Sequence, residues 1–141
     1  MKVAELMTRH VEFIAGEASA GDAAVLMGEL DVGALPVGTA EQLEGIVTDR
    51  DILYRVVAAG LVPAAVRLRD IASHPVIGCG EEDSLPAAMD LMAAHHIRRL
   101  AVRDAAGRVV GWLTLADLAR QLLVGSDTVQ QELKALTEAE A

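Results

Sequence analysis

Two pairs of residues in this chain have the type and spacing to do binding chemistry: Thr48 with Asp51, and Thr114 with Asp117. Each pair follows a glycine, in Gly45-Ile46-Val47-Thr48-Asp49-Arg50-Asp51 and in Gly111-Trp112-Leu113-Thr114-Leu115-Ala116-Asp117. A hydroxyl and a carboxylate three residues apart at a strand-to-helix junction can cap the helix, each side chain taking up an orphan N–H. The same geometry turns the positive end of a helix outward, toward a phosphate or a sugar hydroxyl. An ionised aspartate accepts hydrogen bonds from two neighbouring hydroxyls, and a glycine allows backbone to approach a ligand closely. Capping and ligand binding are compatible, and the repetition points to a paired site.

The charge distribution narrows the ligand class. A formal charge of −9 argues against a nucleic acid or an anionic membrane as partner. Between Ile97 and Arg120, however, Arg98, Arg99, Arg103, Arg108 and Arg120 outnumber Asp104 and Asp117, beside His95 and His96. A local basic patch in an acidic protein suits a small anion, although Arg98 and Arg99 also fit a solvated edge. Adjacent histidines on a helix point about 100° apart, and with His74 and Cys79 they form no established ligand spacing, so no metal is expected. The sequence has no nucleophile-with-base arrangement, Walker A loop or H-E-x-x-H segment. It gives an enzymatic role no support.

Most of the chain is an internal duplication. At an offset of 65, Glu5-Leu6-Met7-Thr8 matches Asp70-Ile71-Ala72-Ser73, Ser19 matches Ser84, and Leu35-Pro36-Val37 matches Leu100-Ala101-Val102; the offset becomes 66 before Gly45. The copies span residues 1–59 and 68–124, with a connector at 60–67 opening on Gly60 and a tail at 125–141. A chain of 141 residues favours one shared core, and 52% hydrophobic against 2% aromatic residues makes that core aliphatic. Met27, Met89 and Met92 are expected to fill it, and Tyr54 and Trp112 to pack.

Periodicity predicts an α+β fold. Copy one reads as a strand over Val11–Ile14, a helix capped by Ser19, strands over Ala34–Val37 and Glu44–Thr48, and a helix to about Ala59. Copy two reads as strand Val76–Gly78, helix Ser84–His95, strands Arg99–Arg103 and Val109–Thr114, and a helix to about Leu123. Each copy is led by a short helix. In the tail, Asp127 and Gln130 have capping-box spacing, and Val129, Leu133 and Leu136 give an amphipathic helix. The longest nearly apolar run, Val56–Val66, is too short to span a membrane, and the N-terminus lacks the apolar stretch of a signal peptide. With one cysteine and no disulfide pair, a cytoplasmic protein is expected.

The order of a leading Leu-Met-Thr or Ala-Ser, a Leu-Pro-Val-like strand and a Gly-x-x-Thr-x-x-Asp, twice over, resembles a CBS domain pair, or Bateman module. The resemblance covers about residues 1–123, and the short chain is similar to stand-alone bacterial pairs of the hypoxic-response type, which implies a stress response. It implies two tandem β-α-β-β-α repeats packed as a pseudo-two-fold disc plus a C-terminal helix. Between the repeats it implies two clefts for AMP, ADP or ATP, with NAD and S-adenosylmethionine as further candidates, and no required cofactor. The ribose would sit on Asp51 and Asp117, phosphate near Thr48 and Thr114, and adenine on the stretches Thr8–Val11 and Ser73–Val76. Arg50, Arg98 and Arg99 are candidate phosphate contacts. The family pattern further implies a homodimer signalling by shape change to a protein target in trans; the alternative is a ligand-independent scaffold in which Thr and Asp only cap. Copy two departs from copy one in carrying Ala101 for Pro36 and Trp112 for Ile46, and Asp49 adds a carboxylate beside Asp51. Unequal clefts are therefore expected, the stronger phosphate binder being the one that recruits Arg98 and Arg99.

Overall fold

The computed structural model describes residues 1–124 and 127–140. Copy one contributes helix α1 (Ala20–Leu30), an antiparallel hairpin of β1 (Ala34–Gly38) and β2 (Leu43–Thr48), and α2 (Asp49–Ile52), which widens into a π-helical segment at Leu53–Val57. Copy two contributes a leading turn, α3 (Leu68–Ile71), then β3 (Gly78–Gly80), α4 (Leu85–His95), β4 (Arg99–Arg103), β5 (Val109–Thr114) and α5 (Leu115–Val124). A 3₁₀ turn at Val3–Glu5 leads copy one in the same way. β4 pairs in parallel with β3 and antiparallel with β5. A final helix, α6 (Asp127–Glu140), follows α5.

The helices start where the sequence places their caps. Ser19 Oγ accepts the Asp22 N–H at 3.0 Å while the Asp22 carboxylate accepts the Ser19 N–H, and Ser84 caps α4 through the Ala87 N–H. Two expected strands are corrected. Val11–Ile14 is not a strand: only Ile14 reaches the sheet, bridging in parallel to Val37 beside Arg9, His10 and Glu12, which stay exposed. The strand expected at Val76–Gly78 lies instead at Gly78–Gly80, because Val76 and Ile77 line a cleft. In the tail, Gln130 donates its amide to the Val124 carbonyl rather than returning it to Asp127. Leu136 is exposed, Gly125 and Ser126 fall outside the described residues, and so do the side chains of Val129 and Leu133.

The two copies exchange their leading segments. Residues 1–8 pack on copy two: Val3 N–H donates to Asp83 O at 2.8 Å and Ala4 N–H to Glu81 O at 2.9 Å, and Thr8 and Trp112 exchange both backbone hydrogen bonds. Residues 66–73, which lead copy two in sequence, pack on copy one through the equivalent bonds: Leu68 to Ala18 at 2.9 Å, Arg69 to Gly16 at 3.0 Å, and the Ser73–Ile46 pair. Each core is consequently built from both copies. One gathers Ala20, Leu35, Val37, Val47 and Val56 around Leu68, Ile71 and Ala72; the other gathers Ala88, Leu100, Val102 and Leu113 around Val3 and Met7. Val3 and Leu68, equivalent residues, are both fully buried.

The motif glycines serve this exchange. A side chain at Gly111 would meet Thr8 O at 2.7 Å, and one at Gly45 would meet Ser73 O at 2.8 Å. The close approach expected toward a ligand is made instead by the crossing leader's backbone. Outside the cores, Lys2 pairs with Glu82, and Arg69 bridges Glu17 at 2.6 Å and Glu44 at 3.1 Å. Arg55 Nη1 donates to Ile71 O at 2.8 Å, tying the helix after β2 to the incoming leader.

Gly111→Ala should lose about 1 to 3 kcal/mol in urea unfolding through overpacking against the Thr8 backbone. Gly28→Ala, mid-helix with open space around it, should gain about 0.5 to 1 kcal/mol; equal effects at the two glycines would contradict the leader's role. The Glu17 carboxyl is held below its ordinary value, first by the hydrogen bond from Arg69 and then by its own backbone N–H. A lowered folded pKa stabilises above the unfolded value, 4.5, and that stabilisation is lost as pH falls through the folded one. Glu17→Gln should therefore be less stable than wild type at pH 7, with the gap narrowing as pH falls below 4.5.

Candidate functional site: two clefts at the junction of the copies

Both Thr–Asp pairs form complete capping boxes. Thr48 is in extended backbone, its Oγ1 accepts the Asp51 N–H at 3.2 Å, and Asp51 Oδ2 accepts the Thr48 N–H at 2.9 Å. Thr114 and Asp117 repeat this at 3.1 and 3.0 Å. The pairs differ in what the second carboxylate oxygen does. Asp51 Oδ1 lies 3.8 Å from Arg55 Nε, beyond hydrogen-bond range, on a side chain 14% exposed. Asp117, with 8% side-chain exposure, is closed off by a direct bond from Arg120.

Above each helix start lies a cleft lined by both copies. Cleft one, about 520 Å³, runs from Thr48, Asp49 and Arg50 across to His96, Ile97, Arg98 and Arg99, with Ser73, Pro75, Val76 and Ile77 along one side. Cleft two, about 550 Å³, runs from Thr114, Ala116 and Arg120 across to Asp31–Pro36, with Thr8, His10 and Glu12 along the equivalent side. Both volumes fall in the range of small-molecule sites. The expected residues Thr48, Arg50, Ser73, Val76, Arg98 and Arg99 thus meet in one cleft, and Thr8, Thr114 and, again, Arg99 in the other. Val11, Asp51 and Asp117 line neither wall; the two aspartates stand behind them in the caps.

Electrostatics separate the clefts. Cleft one sets Arg50, Arg98 and Arg99 against Asp49, whereas cleft two sets Arg99 and Arg120 against Glu12 and Asp31. Arg120 is already engaged by Asp117, and Glu12 accepts a 2.7 Å contact from His10. Arg50 is steadied by the Tyr54 ring, 5.8 Å from its centroid. An anion entering cleft one meets a net positive wall; in cleft two it meets a neutral one. The backbone of Thr8 and of Ser73 is engaged with Trp112 and Ile46, so those two residues present side chains rather than free amides to the clefts.

Sequence reasoning did not place Asp31 and His96 in a site. They are equivalent positions at an offset of 65, each the left-handed C-cap of its helix (φ 56° and 53°), and each lines one cleft. The signal was present as an Asp and a His at matching helix ends, types enriched at positive φ. Cys79 is buried, and burial followed by the nearby Asp83 charge pushes its thiol up to about 11. It is protonated at neutral pH and is no nucleophile. Among the described residues no three His, Cys, Asp or Glu side chains cluster to hold a metal ion, and no helix is long and apolar enough to cross a membrane.

Removing the cap hydroxyls tests how much of the motif is structural. Thr48→Ala and Thr114→Ala should each cost about 0.5 to 2 kcal/mol in ligand-free urea unfolding. A change of less than a few tenths at both positions would show that the hydroxyls do not cap.

The CBS domain signature matches residues 3–58 and again 68–124. Hypoxic response protein 1 of Mycobacterium tuberculosis is 34% identical over 119 residues, 84% of this chain and 82% of that one. A putative signal-transduction protein with CBS domains from Burkholderia ambifaria superposes with a TM-score of 0.80 at 28% identity, covering 88% of this chain and 95% of that one. A CBS domain protein from Pyrobaculum aerophilum, solved in complex with AMP, gives a TM-score of 0.73 at 25% identity over 96% and 99% of the two chains.

Proposed function

The chain belongs to the CBS domain family, two copies of the domain in one polypeptide, and from that premise we propose that it is a regulatory module binding adenosine nucleotides between the copies. The observation that carries this reading is cleft one, where a helix start and three arginines converge on a cavity of about 520 Å³ walled by both repeats. The AMP complex of the Pyrobaculum relative supports the ligand class. In this reading Asp51 and Asp117 hold the ribose, Thr48 and Thr114 lie near phosphate, and Arg50, Arg98 and Arg99 neutralise it. The stretches ending at Val11 and Val76 receive the adenine. Asp51 Oδ1 is held only by a loose 3.8 Å ion pair with Arg55, whereas the Asp117 oxygen is bound directly by Arg120, so the carboxylate behind cleft one is the easier to turn to a sugar hydroxyl and cleft one is the stronger site.

A ligand touching both copies changes their relative disposition only if it prefers one arrangement, with typical coupling of about 1 to 3 kcal/mol. The readout is a protein in trans. Exposed Val25, Leu53, Tyr54 and Val57 on copy one, with Leu122 and Val124 on copy two, suit a homodimer. A second reading, a dimeric scaffold without ligand, rests on one observation: both capping boxes are complete within the protein itself, which gives each Thr and Asp a structural role of its own.

Thermal unfolding with AMP, ADP, ATP, NAD and S-adenosylmethionine separates the two. Ligand at about 100 times its dissociation constant adds roughly 2.7 kcal/mol, and each kcal/mol raises the midpoint by roughly 2 to 4 °C. A rise of several degrees with one nucleotide, lost in the Asp51→Ala plus Asp117→Ala variant measured against its own ligand-free midpoint, is the expected result. No rise with any of the five, in a stable dimer, would establish the scaffold.

A further inference from the structure

The two clefts share a wall, and among the described residues two side chains line both: Arg99 and Trp112. At both positions copy two carries the larger residue. Copy one carries Ala34 where copy two carries Arg99, and Ile46 where copy two carries Trp112. Ala34 lines cleft two alone and Ile46 lines cleft one alone. The arginine at position 99 therefore puts a single cation on the wall of both cavities.

Arg99 is placed to serve either cavity. It opens β4, opposite Thr114 in the ladder, and its side chain is exposed. Among the described residues its guanidinium has neither an ion pair nor a hydrogen-bond partner. The two cavities need it unequally. Cleft one has Arg50 and Arg98 besides; cleft two has only Arg120, already bound to Asp117, and it has Glu12 and Asp31.

We propose that Arg99 couples the two clefts antagonistically: an anionic ligand in cleft one draws the guanidinium to its phosphate and leaves cleft two, with its two carboxylates, a poorer site for a second anion. This rests on the nucleotide reading above and adds its regulation. One guanidinium cannot neutralise two phosphates in separate cavities at once, so filling the first site lowers the affinity of the second, and by linkage the reverse. The effect is tied to ligand charge. It vanishes for adenosine, which has the same base and sugar and no phosphate, and it weakens with salt because Arg99 is exposed.

Calorimetric titration with AMP at low ionic strength tests this on the 141-residue chain. Wild type should bind one AMP tightly and a second at least about 5-fold more weakly per chain. Arg98→Glu disables cleft one only; cleft two, now filling with its neighbour empty, should bind AMP at least about 5-fold more tightly than the second site of wild type. Arg99→Ala, which restores the copy-one residue at an exposed position, should weaken the tight site and leave cleft two with the same affinity whether or not cleft one is disabled. Adenosine titrations of wild type and of Arg98→Glu should give the same cleft-two affinity. Two AMP sites whose affinities are independent of each other in wild type would overturn the coupling while leaving the nucleotide reading intact. Absence of AMP binding in wild type would overturn both.

Discussion

The crossing of each leading segment onto the other copy is the constraint on which this structure depends. It buries Val3 and Met7 in one core and Leu68, Ile71 and Ala72 in the other, so neither core is complete within one repeat. It also dictates the glycine of each repeated motif. Thr8 and Ser73 lie so close over Gly111 and Gly45 that a single Cβ would press on a carbonyl oxygen. The residue that looks like a ligand-facing feature is first a packing requirement, and the cleft is the space left where the leader turns away toward β3 or its counterpart at Ile14.

Near-symmetry makes the differences between the clefts informative. The backbone bonds that seat the two leaders match one for one, and both capping boxes close with nearly the same distances. Against that background the departures lie in side chains: Gly33 against Arg98, Ala34 against Arg99, Ile46 against Trp112, Asp31 against His96. Arg98 and His96 give cleft one basic residues where cleft two has Gly33 and Asp31, while Arg99 and Trp112 stand on the wall common to both cavities. The sheets hold the geometry constant while the electrostatics diverge.

Much of this was legible in the sequence because duplication tests each motif twice. The Ser19 and Ser84 caps, the Thr–Asp boxes, and the hairpins of β1 with β2 and β4 with β5 follow from local chemistry, which a linear reading captures. The exchange of leaders did not, since Val3 and Leu68 show the same apolar spacing whichever copy buries them. The strand expected over Val11–Ile14 failed for a related reason. Val11 and Phe13 are apolar and half-buried, but only Ile14 meets a neighbouring strand. Val76 and Ile77 looked like strand for the same composition and instead line a cavity. Apolar character records burial, not the partner that provides it.

The exchanged leaders also set an order of events on the ribosome. Residues 66–73 follow copy one directly, so the first core can close soon after the connector emerges. The first eight residues must wait for Asp83, then for Trp112, before their backbone and the buried side chains of Val3 and Met7 find partners. During that interval Val3 and Met7 have no core to enter, and exposed apolar side chains invite misassociation. Contacts spanning this much of the chain also slow closure of the second core. Complete synthesis of copy two is thus the event that shelters Val3 and Met7.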